Sequence, residues 1–306
     1  MSYFTFLGYF IGIPLLVLTV LAWHDHRTGR ALPSSLQSWP FAAVVFAHVL
    51  VAVLYTTPWD NYLVATNVWW YDPALVTGIV LGWVPIEEYT FFVVQTIFTS
   101  LWLLALARRL PVHQSPVTAK GEETNLQRAA DGRRLRFGAV ALLVPVWLAS
   151  LVLLVGGWQP GTYLALELVW ALPPILFQLG FGADILWQHR RLVFWSLVPT
   201  TLYLAATDTV AIGSGTWTID PAQSTGVLIG TLPIEELIFF LVTNTLVVFG
   251  TILVLAKASQ ERVSPSLRHR LRAITSTPQQ QMISLPSEDG TTAQAARRDP
   301  IARRAP

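Results

Sequence analysis

Seven stretches of this chain are apolar for long enough to cross the roughly 30 Å of hydrocarbon in a bilayer. They cover residues 3–23, 36–56, 74–107, 137–156, 162–187, 192–212 and 226–256. The balance of the chain agrees: of 306 residues, 53% are hydrophobic and 12% charged, and the mean hydropathy is +0.50. That lies outside the range of a soluble globular domain and predicts an all-α polytopic membrane protein. The first run has no basic stretch before it and no small-residue cleavage pattern after it, so it reads as a retained helix.

The basic residues orient the seven spans. Arg27 and Arg30 follow the first run, Arg108 to Arg136 separate the third from the fourth, Arg190 and Arg191 separate the fifth from the sixth, and Lys257 opens the tail. All twenty Lys and Arg therefore fall on one side. The positive-inside rule makes that side the cytoplasm, with the N-terminus outside and the C-terminus inside a cell (plasma) membrane. The opposite loops carry Asp60, Asp72 and Asp220 with Trp59, Trp69, Trp70, Trp158 and Trp217, most of them read as an aromatic belt. Residues 110–136 read as a polar cytoplasmic linker, and 258–306, rich in Ser, Pro, Gln and Arg, as a disordered cytoplasmic tail whose cations meet anionic lipid heads. Basic clusters so explained give no reason to expect a nucleic-acid partner. The absence of cysteine excludes disulfides, thiolate metal sites and cysteine nucleophiles.

Shifting the chain by 148 positions lays residues 69–96 over 217–244, with fourteen of 28 positions identical. Both copies contain Trp-x-x-Asp-Pro, then Thr-Gly, then Pro-Ile-Glu-Glu-x-x-Phe-Phe, and the same shift puts Asp60 on Asp208. The pattern predicts two three-helix units, 1–109 and 158–257, with an unpaired spacer helix at 137–157 that makes the two copies parallel. Parallel units can turn both glutamate pairs toward one central cavity.

The third run, 34 residues at about 1.5 Å each, is roughly 50 Å long, so a kink or break is expected at Pro85, and likewise at Pro233. In a continuous helix Glu87 and Glu88 would sit about 20 Å deep, near mid-membrane, as would Glu235 and Glu236. Burial and a like-charged neighbour both favour the neutral acid there, a proton donor held ready for use. Phe91 and Phe92, with Gln95, follow at helical spacing, as do Phe239 and Phe240, with Thr243 and Asn244. Acid and ring faces together suit chemistry in which a proton is added and a carbocation follows. The plainer alternative is an ordinary helix start, with Pro at the first position and acids in the first turn. Asp60 and Asp208 either relay protons or anchor the glutamates, or are interfacial acids; Glu167 is a further acid within a span. His24, Asp25 and His26 read as interfacial charges rather than metal ligands, and His48 as a hydrogen-bonding core residue, so no metal is expected. No Gly-x-Gly-x-x-Gly fingerprint and no aspartate-rich diphosphate motif are present, and Lys120 and Lys257, the two lysines, lie outside the spans, against a retinal Schiff base.

The duplicated motifs resemble those of the membrane-embedded lycopene cyclases, which occur as pairs of small three-helix subunits or as fused chains. The resemblance covers about residues 1–257 in the fused form. It implies redox-neutral conversion of lycopene to β-carotene without a cofactor, on lycopene or other linear carotenoids drawn from the lipid bilayer; related members act on C50 carotenoids or form ε rings. It makes Glu87, Glu88, Glu235 and Glu236 the catalytic acids and bases. On the reading of the residues, Phe91, Phe92, Phe239, Phe240, Gln95 and Asn244 are the candidate substrate- and cation-stabilising groups, and Asp60 and Asp208 a candidate proton relay. Self-association and association with other carotenoid enzymes are both left open. The rival of another class is a proton-coupled transporter, which also uses duplicated broken helices and buried acids.

Overall fold

The computed structural model describes residues 1–111 and 122–264. Residues 112–121, within the segment read as a linker, and 265–306, most of the segment read as a tail, lie outside the described residues. Met1–Gln260 make one compact unit. Its long helices are α1 (Tyr3–Arg27), α2 (Phe41–Ala65), α3 (Ile86–Ala107), α4 (Glu122–Val155), α5 (Thr162–Gln188), α6 (Arg190–Gly213) and α7 (Ile234–Leu255). Among the described residues, six are long and apolar enough to cross a membrane, and α6 is the exception. At 24 residues α6 is about 36 Å long, but Ser196, Thr200, Thr201, Thr207, Asp208 and Thr209 make it too polar by composition. Phe46, Leu54, Phe137, Val152 and Phe177 stand exposed on the outward helix faces, a surface that suits lipid rather than water.

Lys257–Arg262, at the start of the segment read as a disordered tail, forms a short helix, and the bounds of the long elements differ from the sequence reading in three main places. First, α4 begins at Glu122, so residues 122–136, read as linker, are helical. Second, α2 continues through Pro58 to Ala65, which brings Asp60 out of the expected loop and into a helix, with its side chain buried. Third, the runs at 74–107 and 226–256 are not single kinked helices. Proline disfavours the helical conformation in the residue before it, and α3 starts directly after Pro85, at Ile86. Upstream, β2 (Val80–Leu81) and β3 (Val84–Pro85) form a two-residue hairpin turned by Gly82 at φ +73°, the position that type II′ turns reserve for glycine.

The second half repeats this at the same offset. After α6 come β4 (Trp217–Ile219), the hairpin β5 (Leu228–Ile229) and β6 (Leu232–Pro233), and then α7, with Gly230 at φ +66° in the turn. Each begins 148 positions after its counterpart: 217 − 69, 228 − 80, 232 − 84 and 234 − 86, where 69 opens β1 (Trp69–Tyr71). The halves also join each other. β1 pairs antiparallel with β4, Trp69 opposite Ile219 and Tyr71 opposite Trp217, and the ladder is extended by Asp72 N–H to Thr216 O (3.2 Å) and Asp220 N–H to Val68 O (2.9 Å). At the far end of α3, Asp25 accepts from Arg109 at 2.8 and 2.9 Å and lies 3.5 Å from Arg30, while Arg136 lies 3.5 Å from Asp184. Asp25, read as an interfacial charge, is thus a buried counter-ion that ties α1 to α3.

Both hairpin glycines are left-handed, so alanine at either should cost about 1–2 kcal/mol. A Cβ on Gly82 would also run into the Asn61 side chain, whereas Gly230 has open space around it. Gly82→Ala should therefore lower the thermal midpoint of the detergent-solubilised protein more than Gly230→Ala does. Equal shifts would show that the Asn61 contact does not constrain the turn.

Candidate active site

The local sequence puts both acids of each pair in the first turn of a helix. Pro85 caps α3 and Pro233 caps α7, with Glu87–Glu88 and Glu235–Glu236 following. N–H groups without intrahelical partners and the positive end of the helix dipole favour carboxylates there. The plainer alternative, an ordinary helix start, is thus the local geometry, and the glutamates lie at a helix end rather than thirteen residues inside one. They are nevertheless enclosed: Glu87 is 1% exposed, Glu88 8%, Glu235 0% and Glu236 6%.

Within each pair the two acids are used differently. Glu87 Oε1 accepts the Thr77 backbone N–H at 2.6 Å; Glu235 Oε1 accepts both the N–H and the hydroxyl of Thr225, each at 2.7 Å. These first glutamates clasp the Thr-Gly loop to the helix start. The second glutamates meet phenols instead. Glu88 Oε2 accepts from Tyr3 Oη at 2.5 Å and from Tyr71 Oη at 3.1 Å, and Glu236 Oε1 accepts from Tyr163 Oη at 2.7 Å.

The repeated Asp-Pro explains how those phenols arrive. Asp72 Oδ1 accepts Ala74 N–H at 2.9 Å and Asp220 Oδ1 accepts Ala222 N–H at 3.0 Å, each side chain closing a turn on its own backbone. The turns present Leu75 O and Gln223 O, which take the N–H groups of Tyr3 (2.8 Å) and Tyr163 (3.0 Å) at the starts of α1 and α5. Tyr3 and Tyr163 are therefore counterparts, and sequence reading missed both. They are separated by 163 − 3 = 160 positions, not 148, and Pro14 and Pro174 share that second offset; a search for it would have found them.

Glu88 and Glu236 line one chamber, with Asp208 beside them. Tyr3, Tyr71 and Tyr163 supply its hydroxyls; Phe91, Phe239, Phe240, Trp69 and Trp217 supply ring faces. The void is about 50 Å³, room for one or a few water-sized groups. Trp59 and Trp69 are buried and Trp217 faces the chamber, so these three do not form the expected belt, whereas Trp70 and Trp158 are exposed. Asp60 faces the Trp69 indole without closing a hydrogen bond, and neither of its oxygens has a partner among the described residues. Glu167, one turn beyond Tyr163, is also buried and unpartnered there.

Besides Glu87, Glu235 and Asp60, three further expected site residues do not line the chamber. Phe92 and Gln95 line a separate apolar groove of about 400 Å³ between α2, α5 and α7, and Gln95 donates to Thr243 at 3.1 Å. Asn244 is fully buried between helices, accepting from Thr99 at 2.7 Å and donating to Thr201 at 3.2 Å. Its position ties α3, α6 and α7 together below the chamber.

A bundle of apolar helices enclosing paired carboxyl groups and aromatic rings defines an integral membrane protein with buried acids in an aromatic site. The family model described as lycopene cyclase matches residues 3–106 and 160–254, and the chain belongs to that family. It is 36% identical over 252 residues to a lycopene beta-cyclase of Halobacterium salinarum, covering 82% of this chain and 95% of that protein. It is 38% identical over 204 residues to a bifunctional lycopene cyclase/phytoene synthase of Podospora anserina, and 36% identical over 211 residues to one of Gibberella fujikuroi. Those matches take in 66% and 67% of this chain and 33% of each fungal protein. No solved structure matches the chain.

The two kinds of glutamate should separate in stability measurements. Glu235→Ala strands two Thr225 donors next to a buried helix start, at a cost of about 1–3 kcal/mol for the lost partner. Glu236→Gln keeps an acceptor for Tyr163 and should leave the thermal midpoint near wild type. The opposite ranking in a detergent unfolding assay would reverse the assignment of clasp and chamber residue.

Proposed function

We propose that this chain is a redox-neutral lycopene β-cyclase, an intramolecular lyase of the isomerase class that converts lycopene through γ-carotene to β-carotene. The observation that carries the reading is that Glu88 and Glu236, one from each half, face a single aromatic chamber. One of them, as the neutral acid, delivers H⁺ to C2 of the terminal double bond and leaves a tertiary cation at C1. The C5=C6 π electrons form the C1–C6 bond and the cation moves to C5. Loss of the C6 proton to the other glutamate restores C5=C6 and gives the β ring, so protons and electrons balance without a redox partner. Phe91, Phe239 and Phe240 offer ring faces to the cation, and the mostly apolar lining limits the water that would otherwise capture it as an alcohol. In this reading Asp208, which lines the same chamber, carries the proton back between the two acids with Tyr3 and Tyr163. Glu87 and Glu235 hold the loops in this reading.

The same reading takes α6 as a seventh span. Its length and its recurrence at the 148-residue offset support this, with α4 as the spacer between two parallel three-helix units. The N-terminus then lies outside a plasma membrane and the C-terminus in the cytoplasm. A reporter fused after Arg109 or Lys257 should read cytoplasmic, and one near Gly157 external; a cytoplasmic signal at Gly157 would remove the spacer and the parallel units.

The decisive experiment is expression in a lycopene-accumulating host with pigment chromatography. Wild type should turn red cells orange by forming β-carotene; ε-ring or C50 products would identify a different cyclase, and solute uptake without pigment change a transporter. Glu88→Gln and Glu236→Gln should each lower activity by roughly 10²- to 10⁴-fold, the usual contribution of an acid–base group. Because one chamber serves both ends in turn, each variant should slow both ring closures. Selective build-up of γ-carotene in only one variant would mean two sites, and unchanged β-carotene yield in both would sink the mechanism.

A further inference from the structure

Resting on the cyclase reading, we propose that the groove between α2, α5 and α7 holds the acyclic polyene tail of the substrate while its end group reacts in the chamber. The chain would pass from one space to the other at Phe239.

Four observations lead there. Phe239 lines both the groove and the acid chamber, so the two spaces share one side chain as a wall. The chamber, at about 50 Å³, has room only near the reacting end of a C40 chain, while the groove beside it measures about 400 Å³. Along α7 the groove runs from Phe239 to Val254, fifteen residues or about 22 Å. It is walled by Ala47, Val51, Pro174, Leu246 and Val247, and Val51 is exposed on the lipid-facing side of α2. A hydrocarbon can therefore come in sideways from the bilayer without meeting water.

The fourth observation concerns shape. Phe239, Trp59, Trp170 and Tyr55 form a continuous stack, with centroid distances of 6.0, 4.4 and 5.6 Å and interplanar angles of 6°, 16° and 22°. Hydrogen bonds fix the stack: Trp59 Nε1 donates to Leu166 O at 3.1 Å, and Tyr55 Oη to Trp170 O at 2.8 Å. Tyr55 and Trp170 face the groove. Aligned ring planes that lead to the chamber give a flat conjugated chain an apolar surface of matching shape, and a saturated lipid tail gains less from it.

The test places a bulky side chain in the groove at positions that do not line the chamber. Ala47→Phe and Ala52→Phe, each in the full chain in membranes, should raise KM for lycopene by about tenfold or more, equivalent to about 1.4 kcal/mol. Turnover of a short acyclic isoprenoid with the same ring-forming end should stay at the wild-type level, since its tail does not reach the substituted positions. Quenching of tryptophan fluorescence by bound β-carotene should fall in the same variants. Unchanged lycopene kinetics would overturn the proposal and leave the groove to lipid. So would equal losses on both substrates with undiminished carotenoid quenching. A wild-type protein that binds carotenoid in the groove but cyclises none would instead overturn the cyclase reading and leave the groove standing.

Discussion

A carboxyl group taken out of water must find hydrogen-bond partners, at a cost of several kcal/mol if it does not. This chain buries four in two pairs, and much of the end of the bundle that carries them can be understood as the means of satisfying them. The first glutamate of each pair takes the Thr77 or Thr225 amide. That contact requires the chain to leave the helix and return as a hairpin before Pro85 or Pro233 restarts it. The second glutamate takes a tyrosine from the start of another helix, which in turn requires the Asp-Pro turn that captures the tyrosine's own N–H. Motif residues that look independent in the sequence are consecutive links in one hydrogen-bonded chain.

The two ends of the bundle are built on different physics. At the glutamate end, neutral donors and a short strand pair, β1 with β4, hold the halves together. At the other end, Asp25 gathers Arg30, Arg108 and Arg109. Partly exposed ion pairs such as Arg30 with Asp25 contribute little in water, but they can stay solvated where helices leave the lipid. Between the ends, the helices turn apolar side chains both outward and into a core of Leu, Ile and aromatic residues, with hydroxyl side chains among them. Asn244, Thr99 and Thr201 make the buried polar contact that such packing tolerates when every partner is present.

How much of this the sequence disclosed follows from the range of each signal. Apolar runs and the 148-residue repeat are local or strictly periodic, so the helices, the paired glutamates and the family were legible. Depth was not. Counting 1.5 Å per residue assumed a helix through Pro85, and the hairpin at Gly82 removes that assumption. Asp60 was placed in a loop because the apolar run ends at residue 56, although the helix continues through Pro58 to Ala65, as a proline in an apolar environment allows. Trp69 and Trp217 were given to the membrane interface because composition cannot distinguish a belt from a chamber wall. Tyr3, Tyr71 and Tyr163 were invisible because each meets its glutamate only through tertiary structure, and two of them follow a different offset from the rest of the repeat.

The places where the two halves have diverged carry their own argument. Glu167 occupies the position of Leu7 at the 160-residue offset, and Gln95 that of Thr243 at the 148-residue offset. Glu88 accepts from two phenols and Glu236 from one, with Asp208 at its side. Duplication supplies two acids across one void, an arrangement that a single unit could not make. Divergence then makes the surroundings of the two acids unequal, which suits the proposed cyclisation, in which one acid donates a proton and the other accepts one. A substrate with identical ends gains nothing from two identical sites if it can be withdrawn and turned. Under the proposed cyclisation, a single chamber with two distinct faces uses both copies for every ring closure, so that losing either copy is expected to be as damaging as losing both.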